Sequence, residues 1–253
     1  MLHRYVRLLT CTCALFVVVA EGQFLRAGDT SEPQWQSLFD GETLNGWEQH
    51  SGEAKYTVED GCIVGTSVPN TGNSFLCTTE EYGDFIFECW WKVDPVLNSG
   101  IQFRSQFFDE DTEITGKDGK AKSVPADRVH GYQSEIDVEP ERNRMWSVGV
   151  YDEARRGWLY PGLLGGEGTE FSTQGQKLTN VHGWNLTRIE CKGNSIRTYL
   201  NGELRADFED DMTPKGIIAL QVHGIGNSES KVGKQVHWRD IRIQVIEHPT
   251  GNE

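Results

Sequence analysis

Short runs of alternating apolar and polar residues dominate the chain after residue 33. Such alternation predicts β-strands, because successive side chains of a strand point to opposite faces. The run at residues 84–92, DFIFECWWK, is rich in the aromatic and β-branched residues that strands favour. No segment keeps a 3.6-residue period over three turns, so the pattern does not predict a long helix. Runs of the same kind predict strands at residues 99–105, 131–139, 144–151, 184–191, 195–200, 216–223 and 236–246.

Turn signals separate these runs. Asn201-Gly202 stands between two strand-like segments and is typical of a type I′ hairpin, in which both central residues have positive φ. Asp60-Gly61 predicts a second hairpin of the same type. Many short strands joined by tight turns predict an all-β fold, an antiparallel sandwich or barrel.

The N-terminus reads as an export signal. Two arginines precede an apolar run at residues 8–20, which ends in small residues. The run is shorter than the about 18 residues of a membrane-spanning helix, although retention as an uncleaved anchor is the alternative. We therefore expect a signal peptide at residues 1–20, a linker at 21–33 and one domain at 34–247. The mature protein is expected to be periplasmic or extracellular and free of the membrane.

Composition excludes some binding partners but does not identify a function. The chain has 253 residues and a formal charge of −14, with 37% hydrophobic and 10% aromatic residues, enough for a substantial core. An acidic surface disfavours nucleic acids and anionic membranes, because both require a basic footprint. The oligomeric state is left open. The charged segment at residues 108–128 lacks the glycine that an EF-hand loop needs at its sixth position, and it is expected to be a solvated loop.

Four cysteines follow the signal peptide: Cys62, Cys77, Cys89 and Cys191. None forms a CxxC pair, so a zinc site is not expected. An oxidising compartment permits one or two disulfides. Cys89 and Cys191 lie inside strand-like runs, where we favour buried free thiols.

One predicted strand carries a row of carboxylates. Within residues 132–139, alternation places Gln133, Glu135, Asp137 and Glu139 on the face opposite the apolar residues. Carboxylates in line repel one another on a plain sheet. Such a row needs cations, a metal or a raised pKa, all of which are typical of functional sites.

Two other strands have matching polar faces. Gln102 and Arg104 alternate with apolar residues in one, and Gln221 and His223 do so in the other. If these strands share a sheet with the carboxylates, one surface gathers acids, a base, a cation and amide donors. For Arg104 or His223 taken singly, an exposed face with compensating charges is the simpler interpretation.

A second cluster follows the carboxylate strand in the segment GVYDEARRGWLYP. Tyr151 and Trp158 could stack on the C–H faces of a sugar, and the guanidinium groups of Arg155 and Arg156 could bind its hydroxyls. The alternative is a packed loop in which the two arginines neutralise the acids at residues 152–153.

These segments resemble a known family. Residues 35–47, WQSLFDGETLNGW, are similar to the opening of the 3-keto-disaccharide hydrolase domain family. The order and spacing of further matches agree along the chain, and the resemblance implies a concanavalin-like jelly roll of two antiparallel sheets. The further matches are NSGIQFR at 98–104, GYQSEID at 131–137, WN at 184–185, LNG at 200–202, LQVHG at 220–224 and HWRDIRI at 237–243.

The resemblance also implies activity on 3-keto-glycosides. The C3 ketone acidifies the C2 proton, a base removes it, the C1 oxygen leaves, and water adds to the resulting glucal. This route needs a base, an acid and a positive group at the enolate. We expect Glu135 or Asp137 as base, His223 as acid or metal ligand, and Arg104 at the enolate. The expected substrate contacts are Arg104, Gln102, Gln133, Tyr151, Arg155, Arg156, Trp158 and Gln221.

A cofactor is not certain from these residues. A divalent metal held by His223 and the carboxylates would serve the enolate, but no HxxE or HxH spacing supports it. Carbohydrate is the expected partner in either case.

Two alternative functions remain. The segment from Glu135 through Asp137 to Glu139 also resembles the catalytic strand of family-16 glycoside hydrolases, which implies retaining hydrolysis of a β-glucan by two carboxylates about 5–5.5 Å apart. A carbohydrate-binding module without turnover is the other alternative, since this fold does not by itself determine function.

Overall fold

The computed structural model describes residues 34–116, 119–138 and 144–247. The predicted signal peptide and linker, and Glu139, lie outside these residues. Two antiparallel sheets pack face to face and confirm the all-β prediction. The sheet that we call the back sheet contains, from edge to edge, β15 (Glu203–Glu209), β14 (Ser195–Leu200), β13 (Asn185–Lys192), β6 (Phe85–Val93), β17 (Gln235–Val245), β4 (Cys62–Thr66) and β3 (Lys55–Glu59), with β1 (Gln36–Ser37) paired to β17.

The second sheet, which we call the front sheet, carries the candidate site. A separate hairpin, β8 (Thr112–Thr115) with β9 (Ala121–Val124), occupies much of the segment expected to be a loop. The front sheet contains, from edge to edge, β12 (Gly157–Tyr160), β11 (Val150–Glu153), β10 (His130–Asp137), β7 (Asn98–Gln106), β16 (Gly216–Val222), β5 (Ser74–Tyr82) and β2 (Trp47–Ser51).

The core lies between the two sheets and follows the predicted alternation. From the front sheet, Tyr132 and Ile136 of β10 face inward, so Gln133 and Glu135 face away from the core. The same rule turns Gln102 and Gln221 outward. Inward residues of the back sheet include Phe85, Phe87, Cys89, Trp91, Ile189, Trp238 and Ile243.

Both predicted type I′ turns are present. Asn201 and Gly202 have φ values of 52° and 91°, and Asp60 and Gly61 have 49° and 72°. These values lie in the left-handed region, which asparagine, aspartate and glycine tolerate best. The local turn chemistry therefore fixes the register of β14 with β15 and of β3 with β4.

Two elements differ from the sequence predictions. The strand expected at residues 144–151 begins only at Val150, because Val148 has a φ of 65° and interrupts the extended backbone. Helix α1 (Gly168–Leu178) was not predicted, since little of it is buried and its apolar stripe is short. The side chain of Glu167 caps this helix by accepting from the backbone N–H groups of residues 169 and 170.

The four cysteines of the domain are buried free thiols, and Cys89 and Cys191 lie in the core between the two sheets. The preference for free thiols at Cys89 and Cys191 is confirmed, and the alternative of disulfides is wrong for all four. Burial raises the pKa of Cys191 to about 12, so its thiol stays protonated and unreactive. In the part of the chain that the structure describes, no helix is long and apolar enough to cross a membrane.

Candidate active site

A cleft of about 520 Å³ opens on the outer face of the front sheet. Neighbouring strands supply its walls, because residues that alternate away from the core gather on this face. The predicted residues that line the cleft are Gln133 and Glu135 from β10, Tyr151 from β11, Trp158 from β12 and His223 after β16. The structure thus brings together five of the predicted site residues, four from three predicted strands and Trp158 from a strand that was not predicted.

Glu135 lies at the base of the cleft and is only 4% exposed. One carboxylate oxygen accepts a hydrogen bond from Asn98 Nδ2, and the other accepts from Gln133 Nε2 at 2.8 Å. Burial raises the pKa of Glu135 to about 7, although the two amide donors lower it and Asp137 and Glu153 raise it slightly. The carboxyl group can therefore both release and accept a proton near neutral pH.

The pKa of Glu135 has a consequence for stability. Between its usual value of 4.5 and about 7, the native carboxyl keeps a proton that the unfolded chain has lost. Wild type should therefore lose stability relative to Glu135→Gln as pH rises through this window, by up to about 3 kcal/mol. Urea unfolding of both proteins at pH 4.5 and pH 8 measures the difference, and a constant difference would contradict the raised pKa.

Gln102 and Gln221 lie beneath the cleft rather than in its wall, and both are fully buried. Each donates from its amide nitrogen to Gln133 Oε1, at 2.5 Å and 2.8 Å respectively. The carbonyl oxygen of Gln221 has no partner among the described residues, which costs about 1–3 kcal/mol for a buried acceptor. These two glutamines contact Gln133 instead of solvent.

Glu153 also lines the cleft, although it is not among the site residues predicted from the sequence. Its carboxylate is paired with Arg128 and lies 3.4 Å from Asn73 Nδ2. Burial raises the pKa of Glu153, while Arg128 and His223 lower it. Because Glu153 follows Tyr151 by two residues in β11, strand alternation could have placed it on the same face.

His223 stands at the exposed rim of the cleft. Its Nδ1 lies 2.7 Å from the carbonyl oxygen of Gly224. A carbonyl only accepts, so Nδ1 carries a hydrogen in this arrangement and Nε2 is left to exchange a proton with a ligand. This geometry is compatible with the expected role of His223 as an acid.

Asp137 does not line the cleft, although it follows Glu135 on the same face. It is 2% exposed, and its Oδ2 lies 2.7 Å from the guanidinium of Arg144. The Arg144 side chain in turn lies over the rings of Trp146 and Trp158, with centroid distances of 5.0 and 5.5 Å. Asp137 therefore positions a cationic side chain that lines the cleft.

Aromatic rings form one wall of the cleft. Tyr151 and Trp158 meet edge to face at 5.3 Å, and Trp158 meets Trp146 in the same way at 4.6 Å. Edge-to-face packing holds the rings in place, and Tyr151 and Trp158 present apolar surface to the cleft. The predicted sugar-binding role of Tyr151 and Trp158 agrees with this placement.

Arg104 lies away from the cleft, contrary to the expected shared face with Gln102. A β-bulge in β7 gives Arg104 a φ of 44° and shifts the register with both neighbouring strands, so the alternation reverses there. The buried guanidinium donates to the carbonyl oxygens of Gly83 and Gly193 at 2.8 and 2.9 Å, and to Asp84 at 2.8 Å. Arg104 thus ties the front sheet to the back sheet.

Arg155 and Arg156 are also structural, as the packed-loop alternative predicted. Their Nε atoms donate to the two oxygens of Asp152 at 2.6 and 2.5 Å, and Asp152 is fully buried. Arg155 also donates to Thr213, and Arg156 pairs with Asp210. The expected contact of the two arginines with a sugar is therefore not supported. The acid at residue 153 pairs with Arg128 instead.

The donor set of the cleft does not fit a metal ion. Across residues 34–116, 119–138 and 144–247, no group of three or more histidine, cysteine, aspartate or glutamate side chains has the arrangement that could hold one. The alternative of His223 as a metal ligand has no geometric support in this part of the chain.

The family model of the 3-keto-alpha-glucoside-1,2-lyase-like domain matches residues 34–244. The chain belongs to this family. This membership confirms the resemblance seen in the sequence motifs and identifies a carbohydrate-active protein. No protein of curated function matches the chain in sequence.

Solved structures share the architecture at low sequence identity. A carbohydrate binding module, CBM66, from Bacillus subtilis is 17% identical, covers 79% of this chain and 95% of its own, and has a TM-score of 0.50. A Bacillus subtilis protein of unknown function with a galectin-like fold is 10% identical, with 83% and 98% coverage and a TM-score of 0.53. A native glycosidic hydrolase is 11% identical, with 86% and 98% coverage and a TM-score of 0.51. These similarities show the jelly-roll fold alone.

Proposed function

We propose that the protein is an exported enzyme that cleaves 3-keto-glycosides in the Glu135 cleft, by removal of the C2 proton and elimination of the C1 substituent. The observation that carries the proposal is Glu135 itself, a buried carboxyl at the base of the cleft with a pKa of about 7. A general base works best when its pKa lies near the operating pH. Family membership supports a 3-keto-glycoside as the class of substrate.

Glu135 acts as the base that removes the C2 proton. The bond electrons form the enolate of the C3 ketone, and their return expels the oxygen at C1 as the C1–C2 double bond forms. Protonated His223, at the rim, donates a proton to that leaving oxygen. Water then adds at C1 and gives a proton back to His223, while Glu135, whose proton has exchanged with solvent, protonates C2, so the net reaction is hydrolysis.

The remaining lining residues bind and orient the sugar. Tyr151 and Trp158 offer apolar ring surface to a pyranose, and Arg144 and Lys231 line the cleft as cations that can face the enolate oxygen. These two side chains take the place that the sequence analysis gave to Arg104.

Turnover of matched substrates tests this proposal. A 3-keto-disaccharide should be cleaved, whereas the unoxidised parent disaccharide and a β-glucan should not, because only the ketone acidifies the C2 proton. Cleavage of the unoxidised glucan would instead support retaining hydrolysis of the family-16 type. Binding without turnover of any of the three would support a carbohydrate-binding module. Repeating the assay with a chelator tests whether turnover needs a metal.

A further inference from the structure

Three glutamines from adjacent strands meet beside Glu135. Strand register places Gln133 directly opposite Gln102, and Gln221 opposite Gly100, which is two residues away on the same face of β7. Gln133 Oε1 accepts from Gln102 Nε2 at 2.5 Å and from Gln221 Nε2 at 2.8 Å. Gln133 Nε2 then donates to Glu135 at 2.8 Å. The amides form a branched chain that ends on the carboxylate.

The donor and acceptor roles in this hydrogen-bonded chain of amides follow from the groups at its two ends. An ionised carboxylate only accepts hydrogen bonds, so Gln133 must present its NH2 group to Glu135. Its carbonyl oxygen then faces the other two glutamines, which must both present their NH2 groups. The Ser105 hydroxyl donates to Gln102 Oε1 at 2.8 Å and holds that amide in the required orientation. Gln221 also points its NH2 group at Gln133, even though its own buried carbonyl oxygen has no partner in the described residues.

Gly100 provides the space for this arrangement. A Cβ atom at this position would lie 2.5 Å from Gln133 Cδ and 2.8 Å from its Nε2. The Gln133 side chain therefore lies flat against the backbone of β7, where only glycine permits so close an approach. The close approach fixes the plane of the amide, and a half-turn rotation within this space would break all three of its hydrogen bonds.

We propose that Gln133 is the positioning residue of Glu135, with its amide locked in one orientation by Gln102, Gln221 and Gly100 so that an N–H donor always faces the carboxylate. This inference rests on the proposed role of Glu135 as a base. It gives a function to the NSGIQFR motif: Asn98 binds Glu135 directly, Gly100 makes room for Gln133, and Gln102 fixes it.

The fixed amide of Gln133 affects the protonation of Glu135 as well as the position of its carboxylate. A donor to the ionised form favours that form, so Gln133 limits the rise in pKa that burial imposes on Glu135. Other groups also face Glu135, and each must stay unchanged in a test. They are Asp137 on its own strand, Tyr151 and Glu153 on β11, His223 after β16, and Arg144 and Lys231 from loops.

Gln133→Leu tests the proposal by removing the amide while keeping a side chain of similar size. The midpoint of Glu135 ionisation, followed by carbon-13 carboxyl NMR, should rise by about one pH unit. The pH profile of kcat/KM on a 3-keto-disaccharide should shift equally, which lowers activity at pH 7 about fivefold and restores much of it at alkaline pH. Gln102→Leu leaves the contacts of Glu135 in place and should give a smaller shift in the same direction.

Thr187→Val is the matched control, because it removes a buried hydroxyl that accepts from Trp91 Nε1 at 2.8 Å, in the back sheet and apart from the glutamines and Glu135. It should leave the Glu135 midpoint unchanged. An unchanged midpoint in both Gln133→Leu and Gln102→Leu, or an equal shift in Thr187→Val, would overturn the proposal. The NMR midpoint needs no turnover. A shifted midpoint in a protein that cleaves no 3-keto-glycoside would therefore sink the proposed function while leaving the positioning role intact.

Discussion

Replacing Glu135 by glutamine is expected to lower kcat/KM on a 3-keto-disaccharide by about 10²–10⁴-fold, the usual contribution of a general base. Glutamine keeps the size of the side chain and can still accept a hydrogen bond from Asn98 or Gln133. It cannot take up the C2 proton. Binding of the substrate should change little, so the loss should appear in kcat rather than in KM. Steady-state kinetics of the purified variant at pH 7 measure it.

Glu88→Gln provides the matched control for this loss. Glu88 is also a buried strand glutamate, 8% exposed, but it lies in the back sheet and pairs with Arg188 and Arg242. Activity should survive that change. Asp137→Asn separates the two carboxylates considered as the base, since Asp137 lies outside the cleft wall. A larger loss in Asp137→Asn than in Glu135→Gln would reverse the assignment.

Replacing Asp152 by asparagine is expected to destabilise the fold by about 3–5 kcal/mol, the usual cost of removing one partner from a buried ion pair. Asp152 is fully buried, and each of its oxygens accepts from one guanidinium, at 2.6 Å for Arg155 and 2.5 Å for Arg156. Asparagine keeps one acceptor oxygen and no charge, so one of the two guanidinium groups loses its bond to residue 152 and neither keeps a buried counter-charge there. Urea unfolding measures the change in the free energy of unfolding.

An exposed ion pair gives the comparison. Asp207 pairs with Arg197 at 3.1 Å, but both side chains are nearly half exposed. Asp207→Asn should therefore cost less than about 1 kcal/mol. If Asp152→Asn cost no more than that, the two arginines would not depend on Asp152, and the earlier expectation that they bind sugar would regain support.

The sequence allowed the fold class and the faces of most strands to be predicted, because alternation and turn chemistry are local. The outward placement of Gln102, Gln133, Glu135 and Gln221 followed from the two-residue period alone. Arg104 shows where that rule fails. A single bulge reverses the alternation, and no composition signal in β7 announces it.

The ion-pair partners of side chains were harder to predict than the strand faces on which those side chains lie. The motif around Arg155 and Arg156 has the composition of a sugar site, yet both arginines are held by Asp152, which lies only three and four residues away. Glu153 could have been found by alternation from Tyr151, but its partner Arg128 comes from another segment and only the fold brings it close. Long-range pairing of this kind leaves no trace in the local pattern.

The fate of the C2 proton tests the central claim most directly. Cleavage of a 3-keto-disaccharide in heavy water should give a product that carries deuterium at C2, because Glu135 exchanges the abstracted proton with solvent before it returns. Substrate and product incubated without enzyme correct for spontaneous exchange beside the ketone. Product with deuterium at C2 beyond this background is the result that we predict. Efficient cleavage with the original hydrogen retained at C2 would contradict proton abstraction by Glu135 and the elimination mechanism with it.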